Sequence, residues 1–240
     1  MQRIYLPDTQ FSEILEITQK ELYHQLTRVL RARVDQEVIF FDGITLQDHI
    51  YVMVHINKNT VSFRRKEVIS KSSELYLELT LYQALPNKFE KLEYIMQKCV
   101  EVGYKKIVFF SSERSQKLII SENKKQRFQK ILIEAVEQCG GNIVPEIEFE
   151  SSFLWESKEF EKELCIVCHT QWQSSKHLSE ILLSSIKINI FVWPEGGFSE
   201  KEIIHFQELW MQKIFLWERI LRSETVGEVV GFYLGQKKES

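Results

Sequence analysis

The stretch FVWPEGGFSEKEI, residues 191–203, places Gly196 and Gly197 between an apolar run and a charged one. Adjacent glycines let the backbone turn sharply and let another group approach it closely. After them, Ser199 and Glu202 have the spacing of a capping box at the start of a helix. The stretch therefore predicts a turn from a strand into a helix. Open α/β sheets bind ligands at such turns, although a tight turn without a ligand fits the pattern equally well.

A second candidate loop, ERILRS, lies between a strand predicted to end near Trp217 and a C-terminal helix whose predicted N-cap is Ser223. Three glycines recur every four residues of that helix and share one stripe: Gly227, Gly231 and Gly235. Each interior glycine costs a helix about 1 kcal/mol relative to alanine. The stripe predicts a neighbour that packs unusually close, either another helix, a second subunit or a ligand-bearing loop.

Cys165 and Cys168, in the run ELCIVCH, have the spacing of half a zinc site. The run reads as a strand, and residues three apart on a strand point to opposite faces, so the two sulfurs cannot share a metal. We predict buried strand cysteines and no metal site. Four cysteines in 240 residues are too few for a disulfide scaffold, which favours a reducing compartment.

The composition is that of a globular protein, because 44% of the residues are hydrophobic and 27% are charged. A formal net charge of -3 excludes an indiscriminate nucleic-acid binder, which needs clustered Lys and Arg, but leaves room for local basic patches. No stretch approaches the roughly 20 apolar residues of a membrane span, and the N-terminus lacks the apolar segment of a signal peptide. The sequence predicts a cytoplasmic protein that does not enter a membrane.

The first 72 residues predict one helix followed by strands. The stretch TQKELYHQLTRVLRA places Leu22, Leu26, Val29 and Leu30 on one apolar face. The runs EVIFFDG, HIYVMVHI and TVSFRRKEV are β-branched or aromatic and are separated by turn signals. Short strands without intervening helices must close on themselves or expose their edges, so we predict a small β-barrel. The polar segment 69–74 is the predicted linker.

After the linker, strands and helices alternate. The strand LYLELTL, the helix KFEKLEYIMQKCVEVG with its stop at Gly103, and the strand KKIVFF open this part. KHLSEILLSS reads as a helix between ELCIVCH and INIFVW, and SEKEIIHFQELW, KIFLW and the terminal helix follow. Such alternation predicts an α/β fold with a parallel sheet and crossover helices on both faces.

PEGGFSEKEI followed by ERILRSETV resembles the paired C-terminal motifs of the bacterial ribosomal RNA small subunit methyltransferase E family, which methylates N3 of a uridine in 16S rRNA. HQLTRVLR, YQALPNKFEKLEYIMQKCVEVG, SERS and EAVEQCGGNIVPEI precede them in the family's order, so the resemblance covers nearly the whole chain. It implies a PUA-like RNA-binding β-barrel domain over 1–72. It also implies a SPOUT methyltransferase domain with a trefoil knot over 73–240. The implied cofactor is S-adenosylmethionine, and the implied partners are a second copy of the chain and 16S rRNA or the small ribosomal subunit.

The resemblance also implies that the cofactor lies among three loops: the segment after CIVCH, the PEGG turn and the ERILRSET loop. Largely main-chain groups would hold it there. The implied cofactor contacts are His169, Pro194, Glu195, Gly196, Gly197, Leu216, Ile220, Leu221 and Thr225.

The implied reaction must remove a proton, because uracil N3 carries one at neutral pH. We expect Arg222 to position the base and stabilise the developing anion, with Glu195 or Glu224 as the proton acceptor. A phosphate contact or a structural ion pair are alternative roles for Arg222. The expected phosphate contacts, which position RNA without reading its sequence, are Arg28, Arg31, Arg64, Arg65 and Arg114, together with Lys117.

The chain departs from the family pattern at three positions. The family usually has glycine where this chain has Trp193 and Trp217, and arginine where it has Gly141. These departures predict a slower enzyme, weaker cofactor binding or an altered substrate, unless the indoles point away from the pocket. Two alternatives stay open, a SPOUT methyltransferase acting on tRNA and an RNA-binding assembly factor that has lost catalysis. A dinucleotide oxidoreductase is disfavoured, because no G-x-G-x-x-G follows an early strand.

Overall fold

The computed structural model describes residues 1–70, 73–116, 119–151, 160, 162–169 and 175–237. The chain divides into two compact units. The first comprises Met1–Glu74 with Val136–Ile143, and the second comprises Leu75–Ala135 with Val144–Ser240. The sequence did not predict the segment 136–143 in the first unit.

The assignment of functional domains to 1–72 and 73–240 stays a prediction. The predicted linker, 69–74, includes residues 71 and 72, which lie outside the described residues.

The first unit contains a five-stranded mixed sheet. Its strands are β1 Gln2–Tyr5, β2 Ile14–Ile17, β3 Glu37–Phe41, β4 Asp48–Ile56 and β5 Val61–Ile69. They lie in the order β1-β3-β4-β5-β2, and β1 pairs with β3 in parallel while the other pairs are antiparallel. Phe40, Tyr51 and Phe63 are fully buried and pack edge to face in its core. Because β1 and β2 are both edges, hydrogen bonding does not close this sheet within the described residues.

The predicted N-terminal helix consists of two parts. Helix α1, Lys20–His24, runs into a π-helical turn, Gln25–Val29, in which Leu30 N donates to Gln25 O at 2.8 Å. A π turn holds more residues than an α turn, so residues in it shift away from the face that α-helical spacing predicts. Leu26 is fully buried, whereas Val29 is 66% exposed. The prediction that Val29 belongs to the apolar face is therefore wrong.

The second unit contains a seven-stranded sheet, which confirms the predicted parallel α/β architecture. Its strands are β6 Glu78–Ala84, β7 Lys106–Phe110, β8 Glu146–Glu150, β9 Leu164–His169, β10 Lys176–His177, β11 Lys187–Val192 and β12 Gln212–Phe215. Among the described residues the further α-helices are α2 Phe89–Glu101, α3 Glu122–Cys139, whose last four residues belong to the first unit, α4 Glu200–Glu208 and α5 Ser223–Gly235. Every strand pair is parallel, in the order β10-β12-β9-β11-β6-β7-β8.

The segment KHLSEILLSS is not the helix that the sequence predicts. It contains the short strand β10 and a single 3-10 turn, Leu178–Glu180, closed by a capping box with His177. The chain leaves the turn in an extended conformation at Ile181, whose carbonyl accepts a hydrogen bond from Lys237 Nζ at 2.7 Å. Pairing of β10 with β12 and this bond to the chain's end replace the helical bonds.

The chain adds strands to one side of β6 in the sheet and later adds strands to its other side, so the strand order reverses at β6. From β6 the chain continues through α2 to β7 on one side, whereas β11 and β9 lie on the other side. The carboxyl ends of parallel strands open a crevice at such a switch point. In this sheet the crevice lies at the carboxyl ends of β6, β9, β11 and β12.

The glycine stripe of α5 is explained by its packing against the second unit's own core. A Cβ on Gly227 would lie 3.0 Å from Leu81 Cδ2, and one on Gly235 would lie 3.2 Å from Leu75 Cδ2. Between them, Tyr104 donates its hydroxyl to Gly227 O at 2.7 Å. The close neighbours are therefore β6 and the segments that flank it, so the stripe needs neither a ligand nor a second subunit.

Gly231→Ala is expected to destabilise the protein by about 1–3 kcal/mol, through overpacking. The new methyl would lie 2.5 Å from Tyr104 Cε2 and 2.9 Å from Val102 Cγ2, and Tyr104 is buried and hydrogen-bonded in place. That clash exceeds the helix-propensity gain of about 1 kcal/mol. Chemical unfolding measures the change, with Gly235→Ala as the control because it meets only the flexible end of Leu75. Equal stability of the Gly231 variant and the wild type would contradict this packing.

Candidate functional site

The glycine pair forms the predicted turn between β11 and α4. Gly197 N donates to Pro194 O at 2.8 Å, and Gly197 has a φ of +72°, which favours glycine. The capping box is confirmed, because Glu202 N donates to Ser199 Oγ at 3.2 Å and Ser199 N donates to Glu202 Oε2 at 2.7 Å. The turn is thus fixed from both sides by local bonds.

A neighbouring loop, the SERS segment 112–115, packs against this turn. Glu113 N donates to Glu202 Oε1 at 3.0 Å, so the buried capping carboxylate also anchors the loop. Arg114 Nη1 donates to the carbonyls of Gly196 and Phe198 at 3.2 and 3.4 Å. A Cβ on Gly196 would lie 3.2 Å from Arg114 Cβ. Gly196 is therefore needed for the approach of Arg114, which the sequence alone did not indicate.

The ERILRS loop meets the end of β11 at a buried polar contact. Ser223 Oγ donates to Trp193 O at 2.5 Å, and Gln83 Nε2, at the end of β6, donates to Ser223 Oγ at 2.9 Å. Gln83 is fully buried, and its Oε1 has no hydrogen-bond partner among the described residues. The two C-terminal turns that the sequence singled out thus meet in space.

Ser223 is not the N-cap of α5. That position belongs to Arg222, whose side chain makes no capping bond, and Ser223 is the first helical residue. The hydroxyl of Ser223 is taken by Trp193 O and Gln83, so a tertiary bond replaces the predicted local cap. Arg222 O accepts from Thr225 N at 2.9 Å.

The loop after β12 leaves its own main chain free. The main-chain groups of residues 217–221 make no hydrogen bond to any residue that the structure describes. Trp217 and Ile220 are 61% and 76% exposed. Free N–H and C=O groups at the carboxyl edge of a parallel sheet are available to a ligand.

A cavity lies at this edge, with walls from the ends of β9, β11 and β12. It is lined by His169, Trp193, Leu216, Trp217, Arg219, Ile220 and Leu221. Four of the nine expected cofactor contacts are brought together here: His169, Leu216, Ile220 and Leu221. The other five, Pro194, Glu195, Gly196, Gly197 and Thr225, do not line it. Sequence reasoning missed Arg219, whose signal was a second arginine within ERILRS.

The cavity is small, and both unusual tryptophans line it. Its volume is about 10 Å³, room for about one water molecule. That volume is smaller than a nucleoside needs, and two of the lining side chains, Trp217 and Ile220, are largely exposed.

In the PEGG turn and at the start of α5, Lys91 joins the two expected catalytic carboxylates. Its Nζ donates to Glu195 Oε1 at 2.7 Å and lies 3.4 Å from Glu224 Oε2. Asn87 N also donates to Glu195 Oε1, at 3.2 Å. Burial alone would raise the pKa of Glu195, but the hydrogen bonds from Lys91 and Asn87 outweigh it and hold that pKa below its ordinary value. Sequence reasoning missed Lys91, which reads as a solvated helix residue.

Comparison with known proteins identifies the relatives of this fold. A family model for the RNA methyltransferase domain matches residues 73–230. The chain is 30% identical to Ribosomal RNA small subunit methyltransferase E of Buchnera aphidicola, over 95% of this chain and 90% of that protein. It is 29% identical to the Bacillus subtilis protein of the same name, over 87% of this chain and 84% of that one. This chain belongs to the ribosomal RNA small subunit methyltransferase E family.

Two solved structures of relatives contain the expected cofactor. The crystal structure of a Neisseria gonorrhoeae Ribosomal RNA small subunit methyltransferase E bound to S-adenosyl methionine superposes with a TM-score of 0.84 at 25% identity, covering 98% of this chain and 96% of that one. A Legionella pneumophila protein in complex with the bound cofactor SAM gives 0.83 at 28% identity, with the same coverage of both chains. The cofactor that the resemblance implies is therefore confirmed for the family.

The side chains and main-chain groups at this site are of chemical types that can bind such a cofactor. Adenosine presents a flat apolar face and polar edges, and the cavity offers indole and leucine side chains beside the unbonded main chain of residues 217–221. The unpartnered Gln83 Oε1 is a further buried acceptor, at the end of β6 and outside the lining of the cavity.

Arg222, the expected catalytic arginine, is exposed and available. Its guanidinium makes no hydrogen bond or ion pair with any described residue. Glu224, two residues later, contacts Lys91 instead. Arg222 is therefore free to meet a substrate anion.

The expected phosphate contacts divide between the two units. In the first unit Arg28, Arg31 and Arg64 are exposed, while Arg65 forms an ion pair of 3.5 Å with Glu13. In the second, Arg114 is exposed and partly engaged by the turn carbonyls. Lys117 lies outside the described residues. Their role with RNA stays a prediction.

Cys165 and Cys168 are buried in β9 with free thiols, as the sequence predicts. Burial raises the pKa of the Cys165 thiol to about 11 and that of Cys168 further, so both thiols stay protonated near neutral pH. Among the described residues, no three His, Cys, Asp or Glu side chains form a group that could hold a metal. No described helix combines the length and apolarity needed to cross a membrane.

Proposed function

We propose that this protein uses S-adenosylmethionine to methylate N3 of a specific uridine in 16S rRNA of the small ribosomal subunit. The observation that carries the proposal is the meeting of the PEGG turn and the ERILRS loop at Ser223, beside free main chain and a free arginine. The relatives' names point to small-subunit rRNA, and the uridine and its N3 atom rest on the resemblance of the motifs. Such an enzyme would work in the cytoplasm.

Different groups of the chain would contribute to cofactor binding, to the exclusion of water and to alignment of the reactants. When bound, S-adenosylmethionine supplies an electrophilic methyl group. The main chain of residues 217–221 and the cavity walls would hold its nucleoside and exclude water. Alignment of the methyl with the attacking nitrogen is an entropic gain.

Arg222 would position the uracil and stabilise the negative charge that develops on the ring as the N3 proton leaves. Glu195 and Glu224 are the candidate acceptors of that proton. Both contact Lys91, and the lowered pKa of Glu195 makes it a weaker base than an ordinary glutamate. Charge stabilisation by Arg222 therefore carries more of the proposed mechanism than proton acceptance does.

We further propose the fold details that the resemblance implies. After β12, which pairs with β9, the chain returns to pack α5 against β11, β6 and α2. A threaded connection in the form of a trefoil knot would make this return. The mixed sheet of the first unit, with its buried aromatic core, would form the PUA-like barrel and bind RNA through its exposed arginines.

The outward face of α5 supports the proposed homodimer. Val229 and Phe232, three residues apart on the helix, are 37% and 62% exposed. A second copy would cover these side chains. Sedimentation velocity is expected to give a dimer.

Nucleoside mass spectrometry of rRNA from cells with and without the protein tests the function. The expected result is 3-methyluridine in 16S rRNA that disappears when the gene is deleted. Loss of the modification from tRNA instead would show that the substrate is tRNA. No change in any RNA would contradict the proposal.

One observation favours an alternative, an RNA-binding assembly factor without catalysis: Trp193 and Trp217 leave only about 10 Å³ in the cavity. Titration calorimetry with S-adenosylmethionine separates the two functions. The enzyme is expected to bind the cofactor, whereas the inactive factor would bind RNA alone.

A further inference from the structure

Lys91 contacts three segments that are distant in sequence. It lies in the first turn of α2, its Nζ donates to Glu195 in the PEGG turn, and the same atom lies 3.4 Å from Glu224 in the first turn of α5. The side chains of Lys91, Glu195 and Glu224 are 24%, 32% and 13% exposed. All three are thus shielded from solvent more than a surface ion pair is, and most such surface pairs contribute little.

One cation between two carboxylates holds them together against their mutual repulsion. Burial alone would lower the pKa of Lys91, but the bonds and charges of Glu195 and Glu224 outweigh it and raise that pKa. The ammonium therefore stays charged near neutral pH. Without it, two negative charges would face each other where the turn and α5 approach.

The same helix pair has a second polar contact that does not involve the PEGG turn. Tyr94, one turn further along α2, donates its hydroxyl to Glu228 Oε2 on α5 at 2.9 Å. This contact joins α2 to α5 only, whereas the Lys91 contact also includes Glu195. Comparison of variants of the two contacts therefore distinguishes an effect on the packing of α2 against α5 from an effect on the position of the PEGG turn.

We propose that Lys91 is a positioning residue that fastens the PEGG turn to the start of α5, so that the two main-chain surfaces facing the methyl donor keep their spacing. The proposal rests on the proposed function in that it takes these two turns as the cofactor site. Arg222 directly precedes α5, so the same ion pairs set the place of its backbone.

The test compares Lys91→Met, Lys91→Arg and Tyr94→Phe by titration calorimetry with S-adenosylmethionine. Lys91→Met is expected to weaken binding by about tenfold or more, the size of one lost charged contact. Lys91→Arg keeps the charge and is expected to restore most of the affinity. Tyr94→Phe is expected to bind like the wild type. Equal affinities for the methionine and phenylalanine variants would overturn the proposal.

A pH series adds a readout that a purely structural role would not move. The groups that face Glu195 are Lys91, Asn87 N and, through Lys91, Glu224. A carboxylate with a lowered pKa contributes above its ordinary pKa and loses its effect as the pH falls through the lowered value. Removal of Lys91 raises the pKa of Glu195 and leaves its charge facing Glu224, so acid that protonates Glu195 relieves that repulsion in Lys91→Met, and the gap in cofactor affinity to the wild type is expected to narrow as the pH falls. Superimposable pH profiles would count against the proposal.

Hydrogen exchange without cofactor distinguishes failure of this inference from failure of the proposed function. Amides of 195–197 and 223–226 are expected to exchange faster in Lys91→Met than in Tyr94→Phe. Failure of the wild type to bind S-adenosylmethionine would contradict the proposed function. The hydrogen-exchange measurement would still test the role of Lys91, because it needs no cofactor. Unchanged exchange at both segments would overturn that role.

Discussion

Arg222→Ala is expected to lower kcat about 100- to 1000-fold with RNA and S-adenosylmethionine saturating, the loss typical for one donor to a developing anion. The guanidinium is exposed and makes no bond to the described residues, so its removal leaves the fold's own contacts intact. Cofactor affinity and melting temperature are therefore expected to stay near the wild-type values. Single-turnover methyl transfer to small-subunit rRNA measures the effect.

Arg222→Lys is the matched control, because it keeps the charge but not the planar fork. Partial recovery of kcat would indicate that charge matters most. A variant that loses RNA affinity but not kcat, with a salt slope reduced by about 1, would make Arg222 a phosphate contact. Near-normal turnover in Arg222→Ala would remove both its charge-stabilising role and its place in the mechanism.

Ser223→Ala is expected to weaken S-adenosylmethionine binding by about tenfold or more and to lower stability by about 1–3 kcal/mol, because two buried polar groups lose a partner. Gln83 Nε2 and Trp193 O both bond this hydroxyl, and these bonds join the ends of β6 and β11 to the start of α5. Calorimetry and chemical unfolding measure the two effects.

Ser185→Ala is the control for Ser223→Ala, because Ser185 Oγ accepts from Lys187 N at 3.1 Å at the opposite end of β11. Its change is expected to leave cofactor affinity unaltered. If both variants bind the cofactor equally well, the contact at Ser223 does not shape the site.

Local patterns predicted the parts of the site that local bonds build. The capping box of Ser199 and Glu202, the turn at Gly197 and the stop at Gly103 need only a few neighbouring residues, and all three form. The cap at Ser223 failed because Gln83, 140 residues away, takes its hydroxyl.

The sequence did not predict the side-chain contacts between residues that are distant along the chain. Lys91 donates a hydrogen bond to Glu195 although 104 residues separate them in sequence, and no spacing rule predicts such a pair. Gly196 suggested a ligand, whereas the structure gives it a neighbour within the protein, Arg114. Val29 fitted helical spacing but lies in a π turn that periodicity does not reveal.

In the proposed enzyme, the loop after β12 and the PEGG turn together hold the methyl donor by their main chain. Hydrogen exchange of the wild type with and without S-adenosylmethionine tests it most directly, because the amides of residues 217–221 have no bonding partner among the described residues. Bound cofactor is expected to slow exchange across 217–221 and at 195–197. Saturating cofactor that leaves both segments unchanged would contradict it.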